Sequence, residues 1–300
     1  MRWYANVREV GGGGGGGANE ATVVLAHGYG SNQGLWDKLL PALSQRNRVI
    51  LFDWDFTGGG GGEQQLDQSR YTFGRFADDL IELLDDKGVR GAVLVGHSMS
   101  AMAGCIASVR RPDLFSHLVL LCASPRYINS PEEGYVGGFD KASIDGMLDA
   151  MESDFASWVK GFVPNAVGDS ASVPPVEESF LAMDPAVALE LARMIFLGDQ
   201  REALAAVAAP CTIVQVERDI AAPPSVAEYM RRRLTTAGGA AAADMVIIDS
   251  VGHFPQLVAP QQLLAVLEGV LLRCHGGGDG EEKQEEVAEV GADGGIDITA

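Results

Sequence analysis

A serine hydroxyl becomes a useful nucleophile only when a base takes its proton and an acid holds that base in one tautomer. Three positions in this chain have the residue types for that arrangement. Ser98 lies in Gly96-His97-Ser98-Met99-Ser100, between the apolar run Ala92-Val93-Leu94-Val95 and a helical stretch from Ser98 to Arg110. A sharp strand-to-helix turn projects a serine above a sheet and places it at the positive end of a helix, beside unpaired backbone amides. Gly96 suits the crowding of such a turn, whereas Ser100 stands where the simple Gly-x-Ser-x-Gly pattern has glycine, so a slightly more crowded turn is expected. A serine before a helix also serves as an ordinary N-cap, so the motif gains its meaning from the rest of the set.

His253, in Ser250-Val251-Gly252-His253-Phe254-Pro255, follows the last apolar run, where a loop can hang an imidazole over that serine. The other four histidines fit the role of base less well: His27 opens a glycine-rich loop, His97 reads as packing beside the nucleophile, His117 begins a strand and His275 opens the tail. Asp219 follows the preceding strand and is the preferred acid, with Glu217 and Asp249 as rivals and with turn formation as its bland alternative. Acyl transfer further needs donors aimed at a developing oxyanion. The amides of Tyr29, in His27-Gly28-Tyr29-Gly30, and of Met99 are placed to supply them. The pattern points to attack on an ester or lactone without a cofactor. No helical histidine pair or cysteine pair suggests a metal, and no glycine run is followed by Lys-Ser or Lys-Thr as a nucleotide loop requires.

These residues need elements to hold them. Short continuous apolar runs at Thr22 to Ala26, Val49 to Asp53, Ala92 to Val95, His117 to Cys122, Cys211 to Val216 and Met245 to Asp249 read as strands. Helical patterns at Leu35 to Ser44, Tyr71 to Lys87, Ser98 to Arg110 and Pro260 to Leu272 alternate with them. Such alternation predicts the α/β class, with a mostly parallel central sheet covered by helices on both faces. From about residue 137 to 206 the strand signal vanishes and helical patterns take over, at Ser143 to Phe155, Phe155 to Phe162, Glu177 to Met183 and Pro185 to Phe196. The chain order Ser98, Asp219, His253 is that of the α/β-hydrolase fold. The expected organisation is therefore an N-terminal segment with a glycine-rich loop at 1–20 and a hydrolase domain at 20–273. Its core spans about 20–136 and 207–273, and an acidic, glycine-rich, disordered tail occupies 274–300.

The 300 residues carry a net charge of -19, which repels nucleic-acid backbones and anionic lipid and favours a small neutral ligand. Eight carboxylates in the tail account for much of it. Four scattered cysteines read as reduced, and neither a long apolar segment nor a basic-then-apolar N-terminus is present, so cytoplasmic and nuclear localisation is expected. Glycine runs at 11–17 and 58–62 and an alanine-rich run at 237–243 read as loops.

His27-Gly28-Tyr29-Gly30-Ser31-Asn32-Gln33, Gly96-His97-Ser98-Met99-Ser100-Ala101-Met102, Arg111-Pro112-Asp113-Leu114-Phe115-Ser116 and Ala123-Ser124-Pro125-Arg126-Tyr127 together resemble the plant strigolactone and karrikin receptor family. The similarity continues through Trp158-Val159-Lys160-Gly161-Phe162, Asp219-Ile220-Ala221-Ala222-Pro223 and Gly252-His253-Phe254-Pro255-Gln256, covering roughly residues 20 to 273. The resemblance implies a four-helix lid at about 137–206 over a deep pocket, butenolide ligands, slow hydrolysis, and signalling through an F-box subunit of a ubiquitin ligase and repressor proteins. It also implies ligand contacts from Tyr29, His97, Tyr127, Phe139, Trp158, Phe162, Phe196, Ile220, Ala221 and Phe254. The run Asp53-Trp54-Asp55-Phe56, the glycines at 58–62, the acidic tail, and bulky Met99 and Phe254 depart from the family pattern and imply a receptor-like paralogue of the Dwarf-14-like group. Three functions stay open at this point: a receptor with incidental hydrolysis, a general carboxylesterase or lactonase, and a scaffold that binds without turnover.

Overall fold

The computed structural model describes residues 2–12, 21–56, 71–234 and 243–275. Most of the first glycine run, the run at 58–62, the alanine-rich run up to residue 242 and the acidic tail from 276 lie outside the described residues. Seven strands form one sheet: β1 (Tyr4–Val10), β2 (Thr22–Ala26), β3 (Arg48–Trp54), β4 (Ala92–His97), β5 (Phe115–Leu121), β6 (Cys211–Arg218) and β7 (Ala243–Val251). Their spatial order is β1-β3-β2-β4-β5-β6-β7, with β1 antiparallel to β3 and every other pair parallel.

Parallel neighbours require long crossovers, and helices supply them. After the short α1 (Leu40–Leu43), α2 (Phe73–Asp86) joins β3 to β4 and α3 (Met99–Arg110) joins β4 to β5. Four helices, α4 (Lys141–Ser153), α5 (Phe155–Val167), α6 (Val173–Leu181) and α7 (Pro185–Leu197), and the short α8 (Arg201–Leu204) then intervene before β6. The chain closes with α9 (Pro224–Arg233), α10 (Pro255–Val258) and α11 (Pro260–His275). Among the described residues no helix is long and apolar enough to cross a membrane.

Alternate strand residues face opposite sides of a sheet, which is why continuous apolar runs build two cores. Val24, Ala26 and Leu94 join Phe76, Leu80 and Met102 on one face; Val23, Leu25, Val93 and Val95 join Leu43, Leu263 and Leu267 on the other. The four cysteines are free, and three of them are buried in these layers.

Aspartates mark the starts of three of the four inserted helices. The carboxylates of Asp140, Asp154 and Asp184 accept from the amides of Ser143, Ser157 and Ala186, which satisfies orphan donors at each N-terminus. The predicted helix over Leu35 to Ser44 does not form as one piece. Instead a 3-10 turn at Gln33–Trp36 precedes the four-residue α1, because Pro41 has no amide to donate and so takes only the first-turn place of a helix, where that donor is not needed.

Candidate active site

Ser98 lies between the end of β4 and the start of α3 with φ of 54°, in the left-handed region that a non-glycine residue adopts only when its surroundings enforce it. The turn is tight. A Cβ placed on Gly96 would come within 2.7 Å of the Ala101 backbone, so glycine is required there by contact. Met99 is the first residue of α3, and its amide has no intrahelical acceptor.

His253 follows β7, and its Nε2 lies 2.9 Å from the Ser98 Oγ. On the other side of the ring, Nδ1 lies 2.7 Å from Asp219 Oδ2. The carboxylate accepts only, so the proton sits on Nδ1 and the lone pair of Nε2 faces the serine hydroxyl. Asp219 follows β6; its Oδ1 accepts from the Ala221 amide at 2.8 Å, and Gln215 Nε2 approaches Oδ2 at 3.3 Å. Burial alone would raise this carboxyl, but electrostatic attraction to His253 and the hydrogen bonds from His253, Ala221 and Ala222 outweigh it and hold the carboxyl below its ordinary value. Ser98, Asp219 and His253 are 6%, 8% and 8% exposed, so their mutual bonds are sheltered from competing water. Glu217 and Asp249 are exposed instead.

A second layer of bonds fixes this chain in place. His97 Nε2 donates to the His253 carbonyl at 2.7 Å, and burial and the neighbouring His253 depress its pKa to about 3. Because a carbonyl only accepts, the His97 proton sits on Nε2, and the lowered pKa keeps the ring neutral. The His253 amide donates to the Ala166 carbonyl of α5 at 2.7 Å. Ser100 fills the place of the missing glycine usefully: its hydroxyl donates to the His27 carbonyl at 2.5 Å and accepts from Trp54 Nε1 at 2.8 Å. Trp54 thus ties the end of β3 to both the serine turn and the loop that carries Tyr29.

A small cavity of about 30 Å³ adjoins Ser98 and His253, room for one or two waters. Of the residues that the resemblance implies, Tyr29, Tyr127, Phe162, Phe196, Ala221 and Phe254 line it. Phe180, Ala166 and Ile195 line it too, and sequence reasoning missed them. His97, Trp158 and Phe139 stand behind the wall: His97 beneath the His253 ring, Trp158 stacked on Phe162 at 4.8 Å, and Phe139 against Tyr127 at 6.5 Å. Ile220 requires a correction. It is 46% exposed and outside the wall, because the turn that brings the Ala221 amide to Asp219 leaves its predecessor on the surface. The Met99 side chain is buried and also outside the wall. The implied deep pocket is narrow here, filled by Phe162, Phe180, Phe196 and Phe254.

The described residues hold one further grouping of ligand type: Cys122, Asp219 and His253 bring a thiol, a carboxylate and an imidazole within 4.8 Å of one another. Gln215, also missed, had a readable signal as the one amide in the apolar run of β6.

The chain and its fold have counterparts among known proteins. The alpha/beta hydrolase family profile matches residues 23–266. A karrikin insensitive 2 receptor IA of Petunia hybrida is 40% identical over 254 residues, 83% of this chain and 90% of that protein. The strigolactone esterase D14 of Arabidopsis thaliana is 39% identical, covering 89% and 96% of the two chains. Among solved structures, a hydrolase from Oleispira antarctica superposes with a TM-score of 0.79 at 27% identity, over 89% of this chain and 94% of that one. An enol-lactonase from Burkholderia xenovorans LB400 shares the fold with a TM-score of 0.71 at 19% identity, over 89% and 96%. With that coverage and identity, the chain belongs to the alpha/beta hydrolase family, in the group of its strigolactone-esterase and karrikin-receptor relatives.

Proposed function

We propose that this protein is a serine hydrolase-type receptor that binds strigolactone- or karrikin-like butenolides and hydrolyses them slowly. The continuous hydrogen-bond chain from Ser98 Oγ through His253 to Asp219, beside a cavity walled by residues of α5, α6 and α7, carries the proposal. The names of relatives about 40% identical supply the substrate class.

In the first step the Ser98 oxygen attacks a lactone or ester carbonyl while its proton passes to His253 Nε2. Asp219 accepts the Nδ1–H bond throughout and stabilises the imidazolium. Amides of Tyr29 and Met99 take the charge on the carbonyl oxygen; the Tyr29 amide makes no backbone hydrogen bond to any of the described residues. The carbonyl re-forms, the bond to the leaving oxygen breaks, and His253 returns the proton to that oxygen. Water then attacks the acyl group on Ser98 by the same route and frees the enzyme. Residues 137–206 act as the lid over a core of 20–136 and 207–273. Partners in signalling are an F-box subunit of a ubiquitin ligase and its repressor targets, in cytoplasm and nucleus.

The test uses both mirror-image forms of a synthetic strigolactone analogue, with product release, intact-protein mass and melting temperature read together. We expect slow release that Ser98→Ala abolishes, with a retained fragment or a shifted melting temperature. Fast turnover of simple esters with no cleavage or binding of either mirror form makes the protein a general carboxylesterase instead. Ligand binding that survives with no turnover at all makes it a scaffold.

A further inference from the structure

The loop that bears the Tyr29 amide touches the lid at three places. The Tyr29 hydroxyl, fully inside the protein, donates to the Ala188 carbonyl in the first turn of α7 at 2.8 Å. Phe180 of α6 sets its ring edge-on to Tyr29 at 5.2 Å and lies over Gly30, where an added Cβ would meet the ring at 2.0 Å. Asn32 Nδ2 donates to Ser179 Oγ of α6 at 3.1 Å. These contacts join segments about 150 residues apart and roof the 30 Å³ cavity beside Ser98. Pockets that hold small organic ligands run from about 300 Å³ upwards, so a ligand of that size reaches Ser98 only when this roof lifts.

We infer that Tyr29 is a positioning residue whose hydroxyl latches α7 over Ser98 in the ligand-free protein, so that admission of a ligand requires this bond to break. The same residue offers its amide to the oxyanion, which couples the two events: the lid rests closed when the loop holds its catalytic shape. A protein whose competent state is a minor population binds with an apparent affinity reduced by that fraction, and weakening the latch enlarges it. A buried neutral hydrogen bond is worth about 1 kcal/mol, equivalent to about a fivefold change in the open population. Tyr29→Phe deletes the donor and leaves the ring contact with Phe180. The Ala188 carbonyl then keeps its place in the α7 ladder.

The experiment reads two quantities on the full chain: the rate at which a small alkyl fluorophosphonate labels Ser98, and backbone amide exchange by mass spectrometry. In the labelling step the Ser98 oxygen bonds to phosphorus, fluoride leaves, and the hydroxyl proton passes through His253 to solvent. We expect Tyr29→Phe to label about fivefold faster, with faster exchange confined to α6, α7 and residues 27–32. Ser179→Ala, which removes the second tether and leaves the cavity wall intact, should raise both in the same segments by a smaller factor. Unchanged labelling and exchange in both variants overturns the latch, as does faster labelling without faster exchange in α7. Exchange raised throughout the sheet overturns it too, by making Tyr29 a general stabiliser. The kinetic arm rests on the proposed role of Ser98. Should neither the wild type nor Tyr29→Phe be labelled, that role fails and the exchange arm alone decides the latch.

Discussion

Ser98, His253 and Asp219 were legible as residues because each follows an apolar run at the place where a parallel strand ends, and the ends of such strands converge. What the sequence concealed was the layer of bonds behind these side chains. His97 looked like packing beside the serine, yet it donates to the backbone of His253, a bond between residues 156 apart that no local pattern announces. Three buried histidines of this kind have a common consequence. Burial lowers His27, His97 and His117 to about 4, about 3 and about 4, against an ordinary value near 6.5. Below pH 6.5 the unfolded chain gains protons at these positions while the native protein does not, so stability falls as pH drops toward 4. Asp219 acts in the same direction: its depressed carboxyl contributes stability above the ordinary carboxylate range and loses it as pH falls through the native value. The urea midpoint should therefore decline steadily from pH 7 to pH 4. His97→Asn, which keeps a side-chain N–H but cannot titrate, should be less stable at pH 7 and lose less on acidification. An unaltered slope in that variant would remove His97 from the account.

At the scale of elements, strands were read more securely than helices near the site. Six apolar runs became six strands; the five inner ones are buried on both faces, which leaves little else for such runs to do, whereas β7 at the sheet edge is half exposed. The stretch from Leu35 to Ser44 misled because its apolar spacing is helical while Pro41, with no amide to donate, interrupts the ladder a single helix would need. Ser100 misled in the opposite sense. As a departure from glycine it promised crowding, and in the fold it joins three elements through Trp54 Nε1, its own hydroxyl and the His27 carbonyl. Two sequence oddities, Trp54 at the end of β3 and Ser100 in α3, are thus halves of one contact. Trp54→Phe should cost about 1 kcal/mol, and Ser100→Ala about 1–3 kcal/mol because it strands a buried indole N–H as well as a carbonyl. Combined, they should cost less than their sum, since the second change removes a partner the first has already lost. Strict additivity in urea denaturation would show that the two side chains do not act as one strut.

For the molecule as a whole, the α/β alternation and the helical interruption between β5 and β6 were visible from patterning, whereas the near-filled cavity was not. It arises from aromatic rings of the core loops meeting those of α5, α6 and α7, and which rings meet depends on packing angles that periodicity does not specify. Charge distribution belongs to this scale as well. The residues after His275 contribute eight carboxylates against Lys283, so seven of the nineteen net negative charges lie beyond α11. That helix closes the second core with Leu263, Leu267, Val270 and Leu271, all buried, before the tail begins. Truncation after His275 therefore removes no side chain from either described core. The melting temperature should stay within about 2 °C of the full chain, since changes away from buried contacts seldom exceed 0.5 kcal/mol and a domain of this size moves only a few degrees per kcal/mol. Any shift at low salt should be upward, because self-repulsion in a strongly acidic molecule falls, and it should vanish as salt is added. Hydrolysis should be unchanged while retention on an anion exchanger drops. A loss of several degrees that persists in high salt would mean instead that the acidic segment makes contacts the two cores depend on.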